Sequence, residues 1–236
     1  MSDVALYADT PGRALAIYAH PDDPEVACGG TLARWASAGT EVRLVVVNAG
    51  DKGSFDPGTD PRVLTEKRAA EVTAAVEVLG LRGAELLGVP DGEAANDLAL
   101  RGRLVGLLRR HRPDVVVAPD PTAVFFGDSY VNHRDHREVG FAVLDAVAPA
   151  ASSPLYFPEE GPPHHVGGVL LSGTLEPDAW VDVTATIEQK IAAVACHESR
   201  LGDDPDLVRE LLHARTAEAG AHAGVAHAEG YRRLRL

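Results

Sequence analysis

Two short segments of this sequence bring together residue types that do metal and acid–base chemistry. Residues 19–30 read AHPDDPEVACGG and hold His20, Asp22 and Asp23; residues 132–137 read NHRDHR and hold His133, Asp135 and His136. Histidine and aspartate are good zinc ligands, and a catalytic zinc commonly takes three protein ligands and leaves a position for water. Successive side chains in a turn point in different directions. One of the two adjacent aspartates can therefore bind a metal while the other stays free as a general base. The metal's charge would keep both ionised despite their mutual repulsion. Pro21 removes a backbone N–H and stiffens the turn. His133 and His136 stand three apart, neighbours on a helical turn. One of them can complete a metal site and the other can act on a substrate.

Each segment alone is a weak signal, since acidic turns are common as helix caps. The elements that must position them strengthen the case. Residues 14–19, 41–48, 84–89 and 114–118 are nearly continuous apolar runs and read as buried strands. Between them, residues 29–38, 61–79 and 97–110 read as helices, the first two closed by Gly39 and Gly80. Asp97 near the start of the third, and Arg109 and Arg110 at its end, suit the helix dipole. The alternation predicts an α/β fold: a Rossmann-like, mostly parallel sheet with helices on both faces. Such sheets bind ligands outside the carboxyl ends of their strands. The first segment directly follows the first strand and the second lies beyond the fourth, so both fall where a site belongs.

The second half is less regular. Residues 135–148, 186–198 and 205–219 read as helices, and residues 155–157, 168–171 and 180–183 as strands. The Pro/Gly-rich stretches 149–154 and 158–168 carry no composition shift, so they read as loops within one domain over residues 1–236.

Composition narrows the classes. Of 236 residues, 22 are Lys or Arg and 35 are Asp or Glu, a net charge of −13, with 45% hydrophobic and 24% charged residues. This is ordinary globular composition. The acidic balance argues against a nucleic-acid partner and against docking on anionic membranes. There is no apolar run of transmembrane length. The first residues lack a basic stretch and a long apolar stretch, so no signal peptide is expected. Cys28 and Cys196 are too few and too far apart for a disulfide framework, and a cytoplasmic location is the default expectation. Cys28-Gly29-Gly30 has neither the dinucleotide glycine spacing nor a Walker lysine, which argues against a nucleotide-binding oxidoreductase. His164 and His165 sit in a Pro/Gly loop and read as surface residues. His213, His222 and His227 lack ligand spacing. Arg232, Arg233 and Arg235 read as a solvated or strand-edge basic end.

Taken together, these residues resemble the PIG-L/LmbE-like deacetylase family. The resemblance is carried by AHPDD followed by Glu25 and Gly29-Gly30, and by His133-Arg134-Asp135-His136-Arg137. Further similar features are Asp51-Lys52-Gly53-Ser54, Arg68 with Glu71, Pro90-Asp91-Gly92, Arg112-Pro113-Asp114, and Lys190 with His197. The resemblance implies a zinc-dependent hydrolase, one Zn2+ per chain, that removes an N-acetyl group from an N-acetylglucosamine-type conjugate. By motif it implies His20, Asp23 and His136 as zinc ligands, with another divalent metal as the alternative. It implies Asp22 as general base. His133 would stabilise the oxyanion or protonate the leaving amine, oriented by Asp135. Arg68, Asp91 and Tyr130 are the candidates for substrate contact. The expected partner is a small N-acetyl amino sugar, and the resemblance makes a homo-oligomer plausible.

Two departures stand out. The commoner motif has Glu directly after the two aspartates, whereas here Pro24 intervenes. The stretch 125–131 (FFGDSYV) is also unusual; it can carry Tyr130 or Asp128 to the substrate, or shape the pocket rim. Two other readings stay open: a metal-dependent amidase acting on a non-sugar amide such as a thiol conjugate, and a non-catalytic relative that binds sugar.

Overall fold

The computed structural model describes residues 6–201 and 205–236. Residues 1–5, part of the segment read above for a signal peptide, lie outside them. The strands β1 (Arg13–Tyr18), β2 (Glu41–Asn48), β3 (Ala84–Val89) and β4 (Val115–Pro119) alternate with α1 (Asp23–Ser37), α2 (Pro61–Leu79) and α3 (Leu98–His111). Then come the two-residue strands β5 (Phe125–Phe126) and β6 (Tyr130–Val131), and α4 (Arg134–Asp145). After β7 (Gly168–Ser172) and β8 (Ala179–Asp182) the chain forms α5 (Ile187–Ala195), α6 (Glu198–Leu201), α7 (Pro205–Ala223) and β9 (Ala228–Arg235).

The seven-stranded sheet has the order β3-β2-β1-β4-β7-β9-β8. Its first five strands are parallel, and β9 runs antiparallel to both β7 and β8. The α/β expectation therefore holds, with an antiparallel edge added. Alternate side chains of β1 leave the sheet on opposite faces. Leu15 and Ile17 join Val45, Val116, Leu104 and Val139 on one face. Ala16 and Tyr18 join Val46, Val117, Leu32 and Trp35 on the other. Both faces of the central strands are dry, which is why they read as unbroken apolar runs. The strand order reverses between β1 and β4, and a crevice opens there at their carboxyl ends.

Several local expectations need correction. First, α1 starts at Asp23, earlier than residue 29. Asp22 takes a left-handed conformation (φ 93°) as the N-cap, and Pro24 sits in the first turn, where its missing N–H costs no hydrogen bond. Gly29 and Gly30 are thus inside the helix. A Cβ on Gly30 would lie 2.8 Å from Val183, so the helix passes too close to the end of β8 for any side chain.

Second, residues 155–157 form no strand. They lead into a single 3-10 turn, Pro158–Glu160. Arg109, read as a helix-end charge, is buried. Its guanidinium donates to the carbonyls of Ala150, Ala151, Ser153, Tyr156, Phe157 and Gly161 and organises that segment. Third, the regular part of α4 stops at Asp145. A wide turn over Ala146–Ala151 follows, in which Ala148 is extended (φ −138°), as a residue before proline prefers.

Fourth, the basic C-terminal segment is β9, inside the sheet. Arg232 pairs with Glu176 at 3.1 Å and Arg233 with Asp9 at 3.1 Å. His164 also differs from its expected surface position: it is buried, and its Nε2 donates to the Pro113 carbonyl at 2.8 Å. No helix among the described residues is long and apolar enough to cross a membrane.

Candidate metal centre and active site

β1 ends at Tyr18, and the turn that follows aims three side chains at the crevice. The His20 N–H donates to Asp23 Oδ2 at 2.7 Å, which closes the turn. Asp22 is left-handed (φ 93°), and its carboxylate faces Arg68 and Arg200. Such a backbone is uncommon outside glycine, and aspartate is among the residues that tolerate it. From the other wall, His133 caps α4 and His136 follows within its first turn.

Three candidate ligand residues converge. His20 Nδ1 lies 3.2 Å from His136 Nε2 and 3.3 Å from Asp23 Oδ2, and His136 Nε2 lies 3.2 Å from Asp23 Oδ1. The hydrogen bonds behind them set both ring tautomers. Asn132 donates its amide to the Ala123 carbonyl at 2.8 Å, so its Oδ1 faces His136 Nδ1 at 2.9 Å. That nitrogen must carry the hydrogen, which leaves a lone pair on Nε2. Asp135 Oδ2 accepts from His20 Nε2 at 3.1 Å, which leaves a lone pair on Nδ1. Two imidazole lone pairs and a carboxylate thus face one another, an arrangement that requires a cation. A histidine backed by a carboxylate is the usual support of a metal-bound imidazole, and the His2Asp donor set fits zinc.

The protonation equilibria agree. Burial alone would lower the His20 pKa, but the carboxylates of Asp135 and Asp23 raise it to about 10. Without a metal, a proton takes the cation's place. Burial works against the Asp23 carboxylate too, but His136 and His20 hold it well below the usual carboxylate range.

Asp135 serves His20 more directly than His133. It is buried, and its Oδ2 also accepts from Asn48 Nδ2 at 3.0 Å and from the Gly92 N–H at 2.6 Å. His133 Nδ1 stands 3.8 Å from that carboxylate and accepts the Asp135 N–H at 3.1 Å. With Nδ1 accepting, the neutral His133 ring carries its hydrogen on Nε2. Burial and the neighbouring His20 push its pKa down, so the neutral form prevails near pH 7.

Asp22 lies between two guanidinium groups: Oδ1 is 3.6 Å from Arg68 and Oδ2 is 3.7 Å from Arg200. Burial and the adjacent Asp23 charge raise its pKa to about 7, against the lowering effect of Arg68, His197 and Arg200. Glu25, displaced by Pro24 from the commoner place, does not line the crevice. It is buried 3.3 Å from His197.

A cavity of about 1040 Å³ opens over this group. Its lining includes Arg68, Asp91 and Tyr130; of the site residues expected from sequence, Asp135, which stands behind His20, and Asp128 on the β5–β6 hairpin do not border it. Arg68 is buried and donates to the carbonyls of Gly50 and Pro21, both at 3.3 Å. The Asp91 carboxylate accepts the N–H groups of Gly50 and Lys52, at 2.8 and 3.2 Å, and so holds that loop. Tyr130 sits half-exposed on the β5–β6 hairpin beside Phe126, and both rings line the rim.

Sequence reasoning missed several neighbours. Asn132 and Asn48 orient the metal-facing group, yet a lone asparagine carries no chemical signature. Asp120 is buried at the carboxyl end of β4 and lines the cavity, with Oδ1 accepting from the N–H and hydroxyl of Thr122. Its place after a strand was the signal available for it. Arg200, Arg215 and Glu218 reach the cavity from α6 and α7, helices with no motif to mark them.

Comparison with known proteins identifies the family of the chain. The family described as PIG-L: GlcNAc-PI de-N-acetylase matches residues 15–147. A diacetylchitobiose deacetylase of Thermococcus kodakarensis is 29% identical, over 93% of this chain and 82% of its own length. A 1D-myo-inositol 2-acetamido-2-deoxy-alpha-D-glucopyranoside deacetylase of Saccharopolyspora erythraea is 32% identical, over 83% of this chain and 86% of its own. Among solved structures, the N,N'-diacetylchitobiose deacetylase of Pyrococcus horikoshii in complex with an inhibitor superposes with a TM-score of 0.87 at 28% identity, covering 95% of this chain and 84% of that one.

Proposed function

This chain belongs to the PIG-L family, and from that premise we propose that it is a metal-dependent hydrolase removing an N-acetyl group from an N-acetylglucosamine-type conjugate. The observation that carries the proposal is the convergence of two imidazole lone pairs and one carboxylate at the carboxyl end of β1. His20, Asp23 and His136 would hold the metal, one per chain, and the donor set favours zinc. Zinc supplies a Lewis acid at such a site and lowers the pKa of water towards neutrality.

The chain's own groups supply the proton transfers. Asp22, with a pKa raised to about 7, is suited to take the proton of the attacking water, since a base works best near the operating pH. His133 Nε2–H donates to the oxygen that gains charge at the acetamide carbon, a contact worth about 10²–10³-fold in rate. Asp22 then returns its proton to the leaving nitrogen. The C–N bond breaks, and acetate and a free amine leave. Arg68 holds the Asp22 carboxylate in place while bordering the substrate space. Asp91 acts by holding the loop at Gly50 and Lys52, and Tyr130 by closing the rim. A single domain in the cytoplasm acting on a small N-acetyl amino sugar completes the proposal, with a homo-oligomer as its assembly.

The test compares wild type, His20→Ala and Asp22→Asn after zinc reconstitution and desalting. Metal content and acetate release from N-acetylglucosamine and diacetylchitobiose are measured on each. Wild type is expected to retain about one zinc per chain and release acetate. His20→Ala should lose the metal. Asp22→Asn should keep it while kcat falls about 10²–10⁴-fold. Folded wild type that retains no metal, or Asp22→Asn turning over at the wild-type rate, would overturn the mechanism.

A further inference from the structure

Two buried charged groups have no part in the mechanism above. Lys190 of α5 and Glu229 of β9 pair at 2.5 Å, and both lie beyond residues 15–147, the span matched by the family. Apart from Tyr231, their other side-chain partners all lie on α1. Lys190 Nζ donates to the Val26 carbonyl at 2.8 Å. Glu229 Oε1 accepts the Gly30 N–H at 3.0 Å, and Oε2 accepts the Thr31 N–H at 2.8 Å and its hydroxyl at 2.6 Å. The Tyr231 hydroxyl stands 2.7 Å from that of Thr31 and 3.0 Å from Oε2.

The Val26 carbonyl and the Gly30 N–H stand four residues apart and are natural partners in an α-helix. The ion pair therefore grips both ends of one rung of α1. Gly29 and Gly30 make room for it: a Cβ on Gly29 would lie 3.3 Å from Lys190 Cγ, and one on Gly30 3.2 Å from Glu229 Oε1.

The gripped rung is one turn from the metal-facing group. The Val26 N–H donates to the Asp22 carbonyl at 3.1 Å, and Val26 and Ala27 line the main cavity. The start of a helix is usually held by the side chain of its N-cap. Asp22 makes no such cap; its carboxylate faces Arg68 and Arg200 instead. The first turn of α1 thus gives up its own cap to the crevice and is held from the turn that follows.

We propose that Lys190 and Glu229 are positioning residues: through Val26, Gly30 and Thr31 they fix the turn of α1 that presents Asp22 and Asp23 to the metal. The metal-dependent reading enters only in what that turn presents its carboxylates to.

The test separates positioning from stability. Lys190→Met leaves Glu229 buried without its partner and should lower the melting temperature. Lys190→Met/Glu229→Gln removes both charges and should restore much of it, since a buried ion pair can be replaced by neutral groups at little cost. The Val26 carbonyl still lacks its donor, so the turn should stay loose. In the metal-free double variant, amide exchange at Val26 and Ala27 should run about tenfold faster than in wild type, as expected for one lost hydrogen bond to a charged group, while α3 exchanges as before. Zinc affinity should stay about 10–100-fold low, the usual cost of losing an outer support of a metal site, and kcat for acetate release should fall with KM unchanged. Glu229→Gln keeps Lys190 and an oxygen for Gly30 and Thr31, and should show the same changes in a smaller step. Where the double variant does not fold, Glu229→Gln decides by the same exchange and affinity readouts. Wild-type exchange at Val26 and Ala27 overturns the positioning role, as does exchange that quickens evenly over the whole molecule. So does a zinc affinity that returns together with the melting temperature. Wild type that binds no zinc refutes the metal reading instead, and the exchange rates then decide the grip.

Discussion

His20 is where the metal and the proton compete. Its pKa of about 10 in the metal-free protein means that it is protonated at pH 7. Metal uptake must displace that proton, because a ligating imidazole is neutral. Calorimetry of zinc binding in buffers of different ionisation enthalpy should therefore show proton release at pH 7, and His20→Ala should abolish it. Metal binding without buffer dependence would refute the assignment. Asp22 gives a second prediction. A base must be deprotonated to act, so kcat/KM should fall as pH drops through an acid limb no higher than about 7, where Asp22 titrates. Arg200 stands 3.7 Å from its carboxylate and lowers that pKa. Arg200→Gln should move the limb to higher pH and leave the alkaline plateau in place; an unmoved limb would separate Arg200 from the base. The six residues of the two motifs were legible as candidates because both segments lie beyond strands of one parallel sheet. The support that Asp135 gives His20 was not, because it crosses from α4 to β1 and leaves no local pattern.

Helix α1 gives the clearest case of local rules meeting tertiary contacts. From sequence it reads as starting at residue 29, and glycine is a poor helix former. The helix instead begins at Asp23 and keeps Gly30 because Val183 approaches from the end of β8. Replacing Gly30 with Ala raises helix propensity, so a free helix would gain stability. Here the methyl group meets Val183, and Gly30→Ala should lose about 1–3 kcal/mol, the usual cost of overpacking. Urea unfolding would measure it, and a stabilised variant would mean that the helix can shift. The same contact bears on the site, since Asp22 and Asp23 open this helix. Neighbouring α6 is tied to α2 through Glu71, which accepts the Ser199 N–H at 2.8 Å and its hydroxyl at 2.6 Å. Glu71 carried part of the family resemblance, and its structural use is to hold the segment that brings Arg200 to Asp22.

The parallel strands β1, β2, β4 and β7 were legible as apolar runs because both of their faces are covered, whereas the edge strand β3 leaves alternate residues exposed. β9 was not legible, because four of its eight residues are charged and the pattern marks no inward face. Its arginines find carboxylates at the sheet margin, a pairing visible only after folding. The segment after α4 is similar: it looks like loop and strand in sequence but is gathered around one guanidinium. Arg109→Met would strand six carbonyls. It should cost about 3 kcal/mol or more, since hydrogen bonds to charged groups contribute about 1.5–3 kcal/mol each. The checks are a lower denaturant midpoint and new protease cleavage within residues 149–161. An unchanged midpoint would show that the segment holds itself. The place of β9 has one more consequence, for the order in which the molecule is made. Every proposed metal ligand has been synthesised by residue 136, yet β8 finds its ladder partner only in residues 228–235. On the ribosome, the crevice can begin to assemble while one side of the sheet still waits for its closing strand. During that interval the exposed edge of β7 is open to the wrong neighbour.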